Sequence, residues 1–328
     1  MKVVRLRVPV PIAALGHVNS YILSDEVERR SVLVDPGMYW PEGISALGRS
    51  LSSAGLRICD VEAIVITHFH VDHATATAVI ASLCPMPVYM GERDLRAVRG
   101  GFERYFNGVL DLYSQYGVPV EELETIRGVH PVPRLARAYE ELADMDLRPL
   151  REGDRVTIGS SHASVVELPG HTPGHIALVI DGGREALVGD SLLNRITPHV
   201  VLDDARRDAL GEYIKTLRKM MSMGLGLARP GHMDDVVDPA GRAAELLDHH
   251  DRRLNEVRSL LSSGPLTLYD VARRMRWRTG PRTWSELNPY ERYFAIGEAL
   301  AHLRRLVVLG EAEEVNASHG VSFRLARP

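Results

Sequence analysis

The chain has 328 residues, is 45% apolar and 25% charged, and carries a formal net charge of −4. That length allows one catalytic domain with a small appendage, and the composition is ordinary for a globular protein. The acidic balance argues against a nucleic-acid footprint over the whole surface, and no apolar run reaches the roughly 18–20 residues that span a bilayer.

Met1 to Val8 alternates and reads as a strand, without the continuous apolar region of a signal peptide, so a cytoplasmic protein is expected. Further along, the pattern predicts strands near 3–10, 19–24, 30–35, 62–67, 86–90, 155–158, 162–168, 175–180 and 185–189. Helices are predicted near 42–54, 74–83 and 205–222. This order describes an α/β fold in which two mixed sheets pack face to face with helices outside, an αββα sandwich. Cys59 and Cys84 have neither metal-ligand spacing nor a disulfide pattern. They lie beside apolar residues, so buried free thiols are expected.

Residues 91–147 break the rhythm. Phe102, Tyr105, Phe106, Leu110, Leu112 and Tyr113 recur at mixed helical spacing, and Pro119 sits near the start of a further helix. We expect an inserted helical lid in which Phe102, Tyr105, Phe106 and Tyr113 wall a pocket. The plainer use of the same face is packing on the sandwich. Gly241 to Leu261 reads as a long amphipathic helix. A short helix at Leu266–Met275, a long one at Asn288–Gly310 and a hairpin tipped by Asn316–Gly320 follow, in the order of a winged helix. The expected domains are therefore 1–240, containing the insert at 91–147, and 241–328. Residues 245–328 hold 13 Arg against 11 Asp plus Glu. Arg273, Arg274, Arg276, Arg278 and Arg282 cluster around Trp277 and Trp284, a composition suited to single-stranded RNA. Near-neutrality favours a packing or dimer-forming role instead.

The most informative segment is Thr67-His68-Phe69-His70-Val71-Asp72-His73, directly after the apolar strand Val61–Ile66. Four ligand-type side chains in six positions suit Zn²⁺ and similar ions. In extended chain His68 and His70 point the same way and can grip one ion. Asp72 and His73 face a second position. Three later strand ends carry more ligands: His171 within Pro169-Gly170-His171-Thr172-Pro173-Gly174-His175, Asp190 after Ala186–Gly189, and His232 after Arg229-Pro230-Gly231. His175 is not needed as a ligand, and a local hydrogen bond or an outer contact is its expected role.

These motifs, from about Asn19 to His232, resemble the metallo-β-lactamase superfamily. The resemblance implies that His68, His70 and His171 bind a first metal, that Asp72, His73 and His232 bind a second, and that Asp190 bridges them. Asp72 is also the expected catalytic carboxylate. Asp35, in Val34-Asp35-Pro36-Gly37, would support the metal loop without binding metal. Two divalent ions are implied, Zn by ligand type, with Fe or Mn accepted by the same donors. A hydroxide between ions about 3.5–4 Å apart would be the nucleophile. Asn19 and His199 are further candidate substrate contacts. The Ile196-Thr197-Pro198 segment and the C-terminal elements resemble a subgroup carrying a β-lactamase-associated winged helix. The expected reaction is hydrolysis of a small ester, a thioester or lactone, because Phe102 to Tyr116 contains Arg104 as its only basic residue. A single-strand endoribonuclease and a β-lactam hydrolase are the alternatives. The expected partner is a small acyl molecule, with RNA less favoured and no membrane.

Overall fold

The computed structural model describes residues 1–12, 15–180, 182–277, 283–317 and 320–326. The chain divides into two compact units. One comprises Met1–Phe102, Arg134–Pro198 and Thr216–Ala244, the other Glu103–Pro133, His199–Lys215 and Glu245–Pro328. The expected boundary at 240 is thus replaced by an interleaved one, in which most of the insert groups with the C-terminal residues.

In the first unit, β1 (Lys2–Pro9), β2 (His17–Asp25), β3 (Arg30–Val34), β4 (Ala63–Ile66), β5 (Val88–Gly91) and β6 (Leu147–Leu150) form one sheet in that order. β1 to β3 are antiparallel neighbours, and β3 to β6 run parallel. Parallel neighbours need crossovers. α1 (Pro41–Ser53) joins β3 to β4, and α2 (Val71–Ala74) and α3 (Thr77–Leu83) join β4 to β5. The β5–β6 crossover carries α4 (Glu92–Arg99), α5 (Phe102–Gln115), α6 (Val120–Val129) and α7 (Pro131–Ala143). The second sheet holds β7 (Arg155–Ile158), β8 (Ser161–Glu167), β9 (Ile176–Val179), β10 (Glu185–Gly189) and β11 (Leu227–Pro230), with β11 outermost beside β10. α8 (Ala209–Ser222) precedes β11.

The core between the sheets follows the period of two. Tyr21 and Leu23 of β2 and Val32 and Val34 of β3 are buried with Val156 and Ile158 of β7, Val165 of β8 and Leu178 of β9. β4 is buried at all four positions, as expected of a central strand covered on both faces. It therefore reads as an unbroken apolar run and delivers the following loop to a sheet edge.

Cys59 and Cys84 form a disulfide with Cα atoms 5.3 Å apart, which corrects the expectation of free thiols. The partners are separated by 25 residues. The crossover around β4 brings them together, and no local pattern announces it.

In the second unit, α9 (Pro239–Leu261), which begins in the first unit, is followed by β12 (Leu266–Thr267), α10 (Leu268–Arg274), α11 (Pro289–Val308), β13 (Ala312–Ala317) and β14 (Gly320–Leu325). The three strands form a sheet in the order β12-β14-β13. Asn288 caps α11 by accepting from the Glu291 N–H, with Pro289 in the first turn. Phe106 stacks on His130 at 4.3 Å, and Tyr293 lies 4.6 Å from His130 and 5.8 Å from Tyr113. A Cβ on Gly297 would come within 2.5 Å of the Tyr113 hydroxyl, so α5 and α11 approach closely there. Tyr116 stacks on Phe323 of β14. Among the described residues, no helix is long and apolar enough to cross a membrane.

The aromatic residues of the basic cluster are engaged within this unit. Trp277 donates from Nε1 to the Ala272 carbonyl at 2.8 Å, and Arg253 lies over its ring at 4.6 Å. Arg292 lies over Trp284. Arg278, Arg282 and the two residues at the hairpin tip, 318 and 319, lie outside the described residues.

Candidate metal centre

β4 ends at Ile66, and the next residues are held by Asp35 from the neighbouring strand end. Asp35 accepts from the Thr67 N–H and hydroxyl, both at 2.7 Å, and from His73 Nδ1 at 2.8 Å. The Thr67 hydroxyl proton is thereby committed to Asp35, so the contact between His68 Nδ1 and Thr67 Oγ1 at 3.1 Å makes Nδ1 the donor. His232 Nδ1 donates to the His17 carbonyl at 2.8 Å. In each of these three rings the outer bond holds the Nδ1 proton and turns Nε2 inward, where its lone pair can take an ion.

Those lone pairs converge. His68 Nε2 stands 3.1 Å from His70 Nδ1, and His73 Nε2 stands 3.2 Å from His232 Nε2. His73 and His232 both spend their Nδ1 protons elsewhere, so their Nε2 atoms can face each other at that distance only with a proton or a cation shared between them. Two nitrogens on one tetrahedral zinc ion lie about 3.3 Å apart, given Zn–N bonds of about 2.0–2.1 Å, so the spacing fits a shared ion. His68, His70 and His171 form one group of potential ligand atoms, all within 4.8 Å of one another, and Asp72, His73 and His232 form a second. Asp190 reaches both groups. Its Oδ2 lies 3.5 Å from His232 Nε2 and 3.8 Å from His171 Nε2, and its Oδ1 lies 3.5 Å from His73 Nε2. Asp72 Oδ2 stands 3.1 Å from His232 Nε2.

The electrostatics are those of buried, mutually dependent charges. Burial, then the neighbouring His73, His70 and His171, hold His68 well below the usual imidazole range. Burial alone would raise Asp190, but His232 and His73 outweigh it and keep the carboxyl well below its ordinary value. Burial would lower His73 and His232, but Asp190 and its neighbouring carboxylates outweigh it and raise both, so the carboxylates are ionised and these two rings favour a proton that a bound metal would displace.

Several supports were missed in the sequence. Asp94, fully buried at the start of α4, accepts from the Gly174 N–H, the Thr172 hydroxyl and the Phe69 N–H. It ties the loop of His68 and His70 to the loop of His171. His175 is more than a local bond: its Nε2 accepts from the Asp190 N–H at 3.1 Å, and its ring stacks on His68. A Cβ on Gly231 would overlap His73 Cε1 and lie 2.5 Å from Asp190 Oδ1. A first-turn aspartate and a glycine before a ligand were the available signals, and both are too common to stand out.

The expected substrate contacts are placed differently. Phe102, 5% exposed, stacks on Tyr139 at 4.0 Å and meets Phe69 at 4.9 Å, while the Tyr139 hydroxyl donates to the Phe69 carbonyl. This aromatic group buttresses the metal loop and offers no free wall. Phe106 and Tyr113, 2% and 0% exposed, are core residues of the second unit, which corrects their assignment to a pocket wall. Tyr105 is half-buried on α5. His199 stands 4.3 Å from Phe294 in the second unit. Asn19 is fully buried, with its amide directed at backbone carbonyls of the His232 loop.

Comparison with known proteins agrees with this geometry. The Metallo-beta-lactamase superfamily model matches residues 13–232. A Bacillus subtilis (strain 168) protein named "Probable metallo-hydrolase YqjP" is 26% identical over 326 residues, covering 97% of this chain and 94% of its own. A hydroxyacylglutathione hydrolase of Fuscovulum blasticum is 30% identical over 174 residues, 53% of this chain and 48% of that protein. The crystal structure of a metallo-beta-lactamase family protein from Thermus thermophilus superposes with a TM-score of 0.80 at 27% identity, covering 98% of each chain. The chain belongs to the metallo-beta-lactamase superfamily. It is a metal-dependent hydrolase of that superfamily.

Proposed function

We propose that this chain is a dinuclear hydrolase of small carboxylic esters, with thioesters or lactones as the substrate class. The observation that carries the two-ion reading is Asp190, whose carboxylate lies within 3.8 Å of ligand nitrogens from both groups. His68, His70 and His171 would hold one ion, and Asp72, His73 and His232 the other, with Asp190 shared. When bound, such ions supply Lewis acidity and a water of lowered pKa. The protein orients that chemistry. Asp35 and the His17 carbonyl aim two of the imidazoles, and the burial of His68, His73 and His232 excludes bulk water from the inner face. Of the seven ligand candidates His70 alone is half-buried, and the other six are buried.

Three features favour an acyl substrate over a polynucleotide. The net charge is −4. Trp277 and Trp284 of the basic patch lie under arginines of their own unit. The order α9, β12, α10, α11 and β13–β14 is that of a winged helix, but its long third helix, α11, is buried at ten positions. We assign these C-terminal elements to packing, because α11 spends half of its 20 residues on the core of its own unit. The hydroxyacylglutathione hydrolase relative, named for an acyl conjugate of a thiol, supports the same class.

The test is elemental analysis after purification without chelator and with Zn, Fe and Mn supplied, followed by assays on acyl thioesters, lactones and single-stranded RNA. About two ions per chain and turnover of an acyl substrate are expected. Asp190→Ala should lose both metal and activity. Absence of metal, or metal-dependent RNA cleavage with no acyl turnover, would overturn the proposal.

A further inference from the structure

The geometry points to Asn19 as a positioning residue that holds His232 in register with Asp72 and His73. It acts from β2, outside the ligand groups, and only its metal readout rests on the two-ion reading above. His17, Asn19 and Tyr21 are alternate residues of β2 and share one face of the strand. All three bind the turn that carries His232. The His17 carbonyl accepts from His232 Nδ1 at 2.8 Å. The Tyr21 hydroxyl donates to the Pro230 carbonyl at 2.7 Å.

Asn19 supplies three donors to the same turn. Its backbone N–H donates to the Gly231 carbonyl at 2.6 Å. Its side-chain Nδ2 donates to the Pro230 carbonyl at 3.0 Å and to the Met233 carbonyl at 2.8 Å. One nitrogen therefore spans the turn on both sides of His232. Met233 has φ 65°, a left-handed conformation that a non-glycine residue keeps only when its surroundings hold it. The bond to its carbonyl is part of that hold.

No other side chain of this size does the same work. Aspartate is isosteric but presents oxygens to carbonyl oxygens. Serine has a single proton. Alanine removes both side-chain bonds, leaving the Pro230 carbonyl to Tyr21 alone and taking this donor from the Met233 carbonyl. If the turn relaxes, His232 Nε2 moves relative to His73 at 3.2 Å and Asp72 at 3.1 Å. His68, His70 and His171 sit on loops tied by Asp35 and Asp94, so they should feel the change far less. The expected signature is selective loss at one ligand group.

The test compares wild type with Asn19→Asp and Asn19→Ala, each made metal-free and titrated with Zn²⁺ by calorimetry. Two binding steps are expected for wild type. In the variants one step should persist and the other should weaken about tenfold or more, the range for lost outer supports of a ligand. Equal weakening of both steps, or no change in either, would overturn the inference. A second readout needs no metal. In the ¹⁵N-histidine NMR spectrum of the metal-free protein, the His232 Nδ1 proton should be protected from exchange in wild type. In both variants it should be lost or broadened, while the His73 Nδ1 proton on Asp35 persists. An unchanged His232 signal would refute the role of Asn19. If wild type takes up a single ion, the two-ion reading fails and the NMR comparison still decides the matter.

Discussion

At the centre the inward nitrogens of His68, His73 and His232 are each aimed by a bond made on the other side of the ring, and space is rationed just as tightly. Gly231 carries no left-handed torsion, so the backbone alone would accept alanine there. The Cβ would nevertheless overlap His73 and press on Asp190. Gly231→Ala should therefore lower metal content, read by elemental analysis. Wild-type content would mean that the turn shifts to accommodate the methyl group. Phe102 makes a contrasting case. Its ring fills the space behind the metal loop, between Phe69 and Tyr139. Phe102→Ala should cost about 3–5 kcal/mol of stability, as large-to-small core changes do, measured by urea unfolding. The substitution should change KM equally for long and short acyl substrates. A length-dependent KM with unchanged stability would return Phe102 to the pocket.

Among the elements, strand ends deliver the ligands. β4, β10 and β11 finish next to His68, Asp190 and His232, and the loop before β9 carries His171. The parallel pairing of β3 with β4 puts Asp35 beside Thr67. The disulfide belongs to this level too, because the 25-residue separation of Cys59 and Cys84 encloses β4, the metal loop and α3. Loop closure of that length contributes about 3 kcal/mol through the unfolded chain. Cys84→Ala should lower stability by about that amount, and thiol titration of the unreduced, denatured wild type should find no free thiol. Two free thiols would remove the cross-link from the account. The metal motif was legible because its spacing is local. The cross-link was not, because its partners meet only after the crossover folds.

Across the molecule, the second unit buries titratable groups that the catalytic site does not use. His302 donates from Nδ1 to the Glu298 carbonyl at 2.7 Å, and its ring meets His250 Nδ1 at 3.2 Å. Burial pushes His302 down to about 4 and His130 down to about 3. Both groups are neutral in folded and unfolded chains above about pH 6.5. As pH falls below that value the unfolded chain takes up protons first, so stability declines until the folded pKa is reached. For His302 that window runs from 6.5 to about 4, worth about 3 kcal/mol. His302→Gln keeps a donor and an acceptor without the titration, and should flatten the decline across that window in urea melts. An identical decline would assign the acid sensitivity elsewhere. In a separate measurement, chelation at constant pH should lower the Tm, since ligands that bind only the folded state stabilise it.

The family, the sandwich and the His and Asp residues that gather at the centre were readable from the amino acids in order, because apolar periodicity and clustered metal-binding types are local properties of the chain. Most predicted strands match within a residue or two. β6 went unseen, since Leu147–Leu150 is four residues with two of them exposed. Which residues support the centre and which fill a core emerged only from the folded chain. Asp94, His175 and Gly231 act on partners distant in sequence, so their roles have no period to read. Phe106 and Tyr113 have the same aromatic character whether they line a pocket or meet Tyr293 from α11. Only the packing of α5 with the C-terminal elements distinguishes the two, because burial depends on what the rest of the chain brings alongside.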